Sequence, residues 1–222
     1  MFDLLNQQLH FLGIYMTVID LIGSILGIIY IILEYKASRW LWPFCIAMGV
    51  CVAYSCFVNQ FYANGAINVY YVLMGIYGIY QWRKLSRGKQ ARVEQSVAQT
   101  DTAEAPMQSL PRNLAPWVIA AMLLLSAGLY FLLHGVGENN VVLGIDLTIL
   151  DAITSAISIV AMWMLAHKYY QQWICWIVVD PITVALFLLG GSYPLAIMYA
   201  VYVVISIMGY LKWKKDFEKE QK

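Results

Sequence analysis

Long apolar runs separated by short polar punctuation dominate the chain. Seven of them are long and apolar enough to cross a bilayer as helices, which takes about 17–25 residues. They are residues 17–33, 40–58, 61–82, 115–133, 147–165, 173–190 and 193–213. Between the third and fourth runs the pattern stops: residues 83–113 are polar, mixed in charge and end in Pro111, Arg112 and Asn113. That composition predicts a flexible, solvated connector. The pattern as a whole predicts an all-α integral membrane protein with seven transmembrane helices.

The pattern also repeats. A single offset of 131 residues sets Asp20 against Asp151, Ser24 against Ser155, Trp42 against Trp173 and Tyr62 against Tyr193. It continues through Tyr71 and Tyr202, Gly78 and Gly209, and Trp82 and Trp213. One gapless offset that superposes rare Trp, Asp and Gly positions predicts that spans 1–3 and 5–7 are copies of one three-helix unit. A single helix between them leaves both copies the same way up, the parallel repeat found in some secondary transporters. The expected organisation is a first repeat at 1–82, a linker at 83–113, a connecting helix and outer loop at 114–145, a second repeat at 146–215 and a tail at 216–222.

Charge orients this plan. Charged residues are 12% of the chain, against about 25% in a soluble domain. The basic residues are Lys36 and Arg39 after the first span, then Arg83, Lys84, Arg87, Lys89, Arg92 and Arg112 after the third. Lys168 follows the fifth, and Lys212, Lys214, Lys215, Lys219 and Lys222 close the chain. With an odd number of spans all of these lie on one side, and basic loops stay in the cytoplasm. The N-terminus is therefore expected outside and the C-terminus inside. The opening MFDLLNQQLHF has no basic segment ahead of an apolar core, so the first span is expected to direct membrane entry. Cys45, Cys51, Cys56 and Cys175 all lie within apolar segments and read as small buried hydrophobes.

Candidate chemistry sits inside the spans. Trp173, Trp176 and Asp180 follow i, i+3, i+7 spacing, which places them on one side of a helix. Asp180 lies deep in its span, and Pro181 beside it cannot donate to the helical ladder. A carboxylate at that depth is costly and marks a functional site by default. Two indoles with an acid suit a flat, cationic aromatic solute through stacking and cation–π attraction. Trp173 has a second reading as an interfacial belt residue. In the third span Asn68 and Tyr71 share a side, with Tyr70, Met74, Gly78 and Trp82 beside them. Asn68 can address a solute or bond a neighbouring helix. Asp20 and Asp151 open their spans, where the helix dipole favours acids. His10, His134 and His167 stand outside the spans or at their ends, so no metal, haem or other cofactor is expected.

With its three-one-three helix plan, the chain resembles the PnuC family of bacterial vitamin transporters, relatives of the SWEET sugar transporters. The WxxWxxxD motif at Trp173, Trp176 and Asp180 carries the likeness, as do the Asn68–Tyr71 pair and the GxxxW ends at Gly78–Trp82 and Gly209–Trp213. The resemblance implies inner-membrane uptake of nicotinamide riboside, or of thiamine in the subgroup that resembles PnuT. It further implies facilitated diffusion, with a cytosolic kinase trapping the solute by phosphorylation. The implied partners are the vitamin and the lipid bilayer, not nucleic acid, and a homo-oligomer is left open. Asp180 is a departure, because nicotinamide riboside carriers with this motif often have Asn there.

Other classes fit less well. The last span holds no lysine over 193–211 to bind retinal, and no Ser–His or HExxH arrangement marks an enzyme. A channel or receptor shares the topology, but no ring of charges or filter-like loop is visible.

Overall fold

In a computed structural model the described residues are 8–11, 14–58, 62–94, 105–136, 141–142, 145–189 and 193–221. The predicted linker's residues 95–104 lie outside them, as do the N-terminal residues 1–7 and the side chains of His10 and Asp20. Among the described residues there are seven helices, as expected. They are α1 (Val18–Tyr35), α2 (Leu41–Val58), α3 (Tyr62–Glu94), α4 (Ala115–Val136), α5 (Leu147–Ala166), α6 (Gln172–Leu189) and α7 (Tyr193–Glu220). Four apolar segments within them, Leu41–Val58, Ala115–His134, Thr148–Ala166 and Ala196–Glu220, are each long enough to cross a membrane. Shorter apolar stretches run over Leu21–Tyr35 and Gln172–Leu186.

The chain divides into two compact units, Met1–Ala105 and Pro106–Lys222. In the first, α2 packs on α1 and α3; in the second, α4 packs on α5, α5 on α6 and α6 on α7. The fourth helix, expected to connect the repeats, packs within the second unit.

Both units are built to the same detail. Helix α1 ends with Ala37 in the left-handed region at φ 56°, where the Ala37 amide bonds the Glu34 carbonyl at 2.9 Å and that of Ser38 bonds Leu33 at 3.0 Å. Helix α5 ends the same way with Lys168 at φ 57°, the Lys168 amide on Leu165 at 2.9 Å and that of Tyr169 on Met164 at 3.0 Å. These are Schellman caps, closed without the usual glycine. Each turn then starts the next helix through one amide, Leu41 on Ser38 and Gln172 on Tyr169.

Two short hairpins extend the repeat beyond the helices. Strands β1 (Gln8–Phe11) and β2 (Ile14–Thr17) precede α1; β3 (Val141–Val142) and β4 (Ile145–Asp146) precede α5. Their registers agree at the same offset, with Phe11 opposite Ile14 and Val142 opposite Ile145. The sequence places Leu-Gly between the strands both times, at Leu12–Gly13 and Leu143–Gly144. The all-α expectation missed these hairpins because each is too short to show an alternating pattern.

The predicted flexible linker is corrected at both ends. Helix α3 continues to Glu94, well past residue 82, since Lys, Arg, Gln, Ala and Glu are good helix formers without an apolar stripe. At the other end the chain is pinned to the second unit. The Met107 amide donates to Glu220 Oε2 at 2.8 Å, and that of Gln108 donates to the Lys168 carbonyl at 3.0 Å. Gln171 accepts from the Leu110 amide at 3.0 Å and donates to Ser109 Oγ at 2.9 Å. These partners stand 60 to 113 residues away in sequence, so local composition gave no sign of them.

Candidate solute-binding site

The second unit places the tryptophan motif against two neighbours. Trp173 is wholly buried (0% exposed) and wedged between α6 and α7. A Cβ on Gly209 would stand 2.5 Å from Trp173 Cε2, so only glycine lets α7 approach the ring this closely. The indole also meets Trp213, one turn further along α7, edge to face with centroids 5.7 Å apart at 86°. The first unit repeats the wedge, with Trp42 on Gly78 and against Trp82 at 5.5 Å and 88°. Trp173 therefore has no free ring face, and its geometry is that of a packing residue.

Asp180, seven residues further along the same side of α6, is 3% exposed. Ser206 on α7 donates its hydroxyl to Asp180 Oδ2 at 2.7 Å. Pro181 offers no amide to the carbonyl of Ile177 four residues earlier. Trp176 stands 60° round the helix from Trp173 by ideal geometry of about 100° per residue, enough to face a different neighbour. It packs against the apolar cluster of Val118, Val160, Ala161, Met164, Tyr169 and Cys175, contributed by α4, α5 and the start of α6. It remains half-buried, and its indole N–H makes no hydrogen bond, as is also true of Trp42 and Trp173. Of the two predicted indoles, only Trp176 keeps ring surface available for a solute.

The first unit holds Asn68 and Tyr71 on α3, both half-buried. The Tyr71 carbonyl accepts from Cys45 Sγ at 3.7 Å, and its ring stands beside Tyr70, centroids 6.0 Å apart. Asp151 is exposed. The dipole reading expected for it is corrected, since α5 begins at Leu147 and has no acid in its first turn, the only place where the dipole acts strongly. All four cysteines are free, with Cys45 and Cys175 buried. Among the described residues no cluster of His, Cys, Asp and Glu could hold a metal.

The family model described as nicotinamide mononucleotide transporter matches residues 17–215. The chain belongs to this family. It is similar to the nicotinamide riboside transporter PnuC of Neisseria mucosa, 27% identical over 87% of this chain and 71% of that one. PnuC of Escherichia coli is 24% identical over 71% of this chain and 68% of its own length. The riboflavin/roseoflavin transporter RibM of Streptomyces davaonensis is 23% identical over 87% of this chain and 83% of its own. The crystal structure of the vitamin B3 transporter PnuC shares the fold, with a TM-score of 0.68 at 24% identity, covering 90% of this chain and 82% of that one. As a family member the chain is a multi-pass membrane transporter, not an enzyme.

Two groups of this transporter are absent from the predicted site residues. Tyr199 and Tyr202 on α7 form an edge-to-face pair with centroids 5.4 Å apart at 62°, on the same side of the helix as Ser206 by i, i+3, i+7 spacing. Carrying Asn68 and Tyr71 forward by 131 residues lands on these two tyrosines, so the repeat itself was the missed signal. Glu34 is 1% exposed and hydrogen-bonds Tyr30 one turn earlier. The predicted first span ended one residue short of it, which made a buried acid look like a loop residue.

Proposed function

We propose that the transporter carries nicotinamide riboside into the cell by facilitated diffusion. One observation supports this reading most strongly: Asp180 is a buried acid, and the only Lys, Arg or His within the apolar spans is Lys212, at the end of the last one and paired with Asp216. A solute with a fixed positive charge on an aromatic ring supplies the missing partner, and the half-buried Trp176 offers that ring a stacking surface. The phosphorylated nucleotide in the family's description is a poorer fit. Its negative charge would meet an acid, and Lys212, the one basic residue within the spans, is already paired with Asp216. Asn68 and Tyr71 supply amide and phenol groups suited to the carboxamide or ribose.

The same charge argument gives direction to the process. Phosphorylation by a cytosolic kinase turns the solute into an anion that the spans cannot accommodate, so the product stays inside. The basic loops place the C-terminus in the cytoplasm and the N-terminus outside. Thiamine, also a cationic aromatic vitamin, satisfies the same argument, whereas the neutral ring of riboflavin does not draw on Asp180.

Calorimetric binding to the purified protein tests the reading. Nicotinamide riboside should bind, and Trp176→Ala should weaken it about tenfold, the loss of about 1–2 kcal/mol of cation–π attraction. Asp180→Asn and Asn68→Ala should weaken it as well. Wild-type affinity in all three folded variants would move the site elsewhere. Tighter binding of thiamine than of the riboside would reassign the vitamin.

A further inference from the structure

The two repeats offer an internal comparison at the crossing of their second and third helices. In the first repeat the crossing is made by Gly49 on α2 and Gly75 on α3. A Cβ on Gly49 would stand 2.9 Å from Val72 Cγ2 and 3.2 Å from the Asn68 carbonyl oxygen. One on Gly75 would stand 2.6 Å from Ile46 Cγ1. At the 131-residue offset these glycines become Asp180 and Ser206, while the neighbours Ile46 and Val72 become Ile177 and Val203, the same residue types. The tryptophan wedge nearby is also the same in both. The fold therefore closes this crossing with no side chain at either position. A buried carboxylate and its hydroxyl partner are not required by the architecture, and burial of the charge is costly.

We propose that Asp180 and Ser206 act together as a charge selector, with Ser206 the positioning residue that aims the carboxylate at a cationic ring. This rests on the riboside reading above and adds how the site tells a cation from a neutral analogue of the same shape. The hydroxyl donates to Oδ2 at 2.7 Å, a short charge-assisted bond. A carboxyl held by one oxygen keeps its plane, and Oδ1 is left to accept from or face the solute. Tyr199 and Tyr202 continue the same side of α7 from Ser206, and Asp180 lies within electrostatic reach of Tyr199. Selection then depends on a fixed acid, whereas a mobile one could turn to any nearby donor and lose its preference for charge.

The test compares nicotinamide riboside with its neutral dihydro form by calorimetry on the purified full-length protein, reading the ratio of the two dissociation constants. The wild type should favour the cation, and Asp180→Asn should remove most of the preference, leaving the part that Trp176 supplies by cation–π attraction. Ser206→Ala should cut the preference roughly three- to tenfold, the net weight of one typical hydrogen bond, and Ser206→Thr should restore it. In an Asp180→Ala background Ser206→Ala should change nothing further, because its partner is gone. The paired Asp180→Gly, Ser206→Gly variant, which installs the first repeat's residues, should fold and keep only the same residual preference for the cation. A wild-type preference surviving in Ser206→Ala would overturn the proposal. So would an equal loss for both nucleosides that Ser206→Thr does not repair. If the wild type binds both forms equally, this inference alone fails; if it binds neither, the riboside reading fails with it.

Discussion

Substituting Gly209 with alanine puts the helix-packing argument to its most direct test. The new methyl carbon would stand 2.5, 2.6 and 2.7 Å from Cε2, Cδ2 and Cζ2 of Trp173. Carbon atoms in comfortable contact stand about 3.5–4.0 Å apart, so roughly 1 Å of movement is needed. Trp173 cannot supply it, because the ring is 0% exposed and already packs edge to face on Trp213. The helices must separate instead. Overpacking of this kind costs about 1–3 kcal/mol. Lipid tails are as apolar as the core, so helix association in a bilayer depends on close packing, and the steric cost is read with little hydrophobic compensation. Thermal unfolding in detergent should show a lower midpoint for Gly209→Ala, and Gly78→Ala should match it, since its Cβ would stand 2.5 Å from Cδ2 of Trp42. Trp173→Phe, a smaller ring, should partly rescue Gly209→Ala. If Trp173 only packs, the rescued double variant should bind the solute as the wild type does. A neutral Gly209→Ala would refute the wedge; a stable double variant that has lost binding would return Trp173 to the site.

Two further outcomes are expected. A reporter active only in the cytoplasm should work when fused after Lys222 or within residues 88–108 and fail after Asn140, and activity at the last position would break the seven-span topology. In liposomes the purified protein should equilibrate nicotinamide riboside with no proton or sodium gradient, whereas gradient-driven accumulation above the outside concentration would refute facilitated diffusion.

Much of this protein is legible in one dimension because the bilayer enforces a simple code. Spans must be apolar and about 20 residues long, and basic loops stay in the cytoplasm. Hydropathy and the position of fourteen Lys and Arg residues were therefore enough for the helix plan. The offset of 131 residues held down to single amides, as the matched caps at Ala37 and Lys168 show. Asp180 was also visible, since an acid in an apolar run stands out without any structure.

Only the tertiary structure decided what each side chain does there. Helical spacing put Trp173 and Trp176 on one side of α6, but an arc of about 60° spans two neighbours. Whether a ring meets Gly209 or an apolar cluster depends on which helices come to lie beside it. The Asp180–Ser206 bond, the pinning of Met107 by Glu220 and the burial of Glu34 share that origin. Each depends on a partner or a shielding surface supplied from another segment of the chain. The membrane imposes helices on every apolar run alike, so the pattern along the chain locates the helices, and close packing between them determines which residues are left to meet a solute.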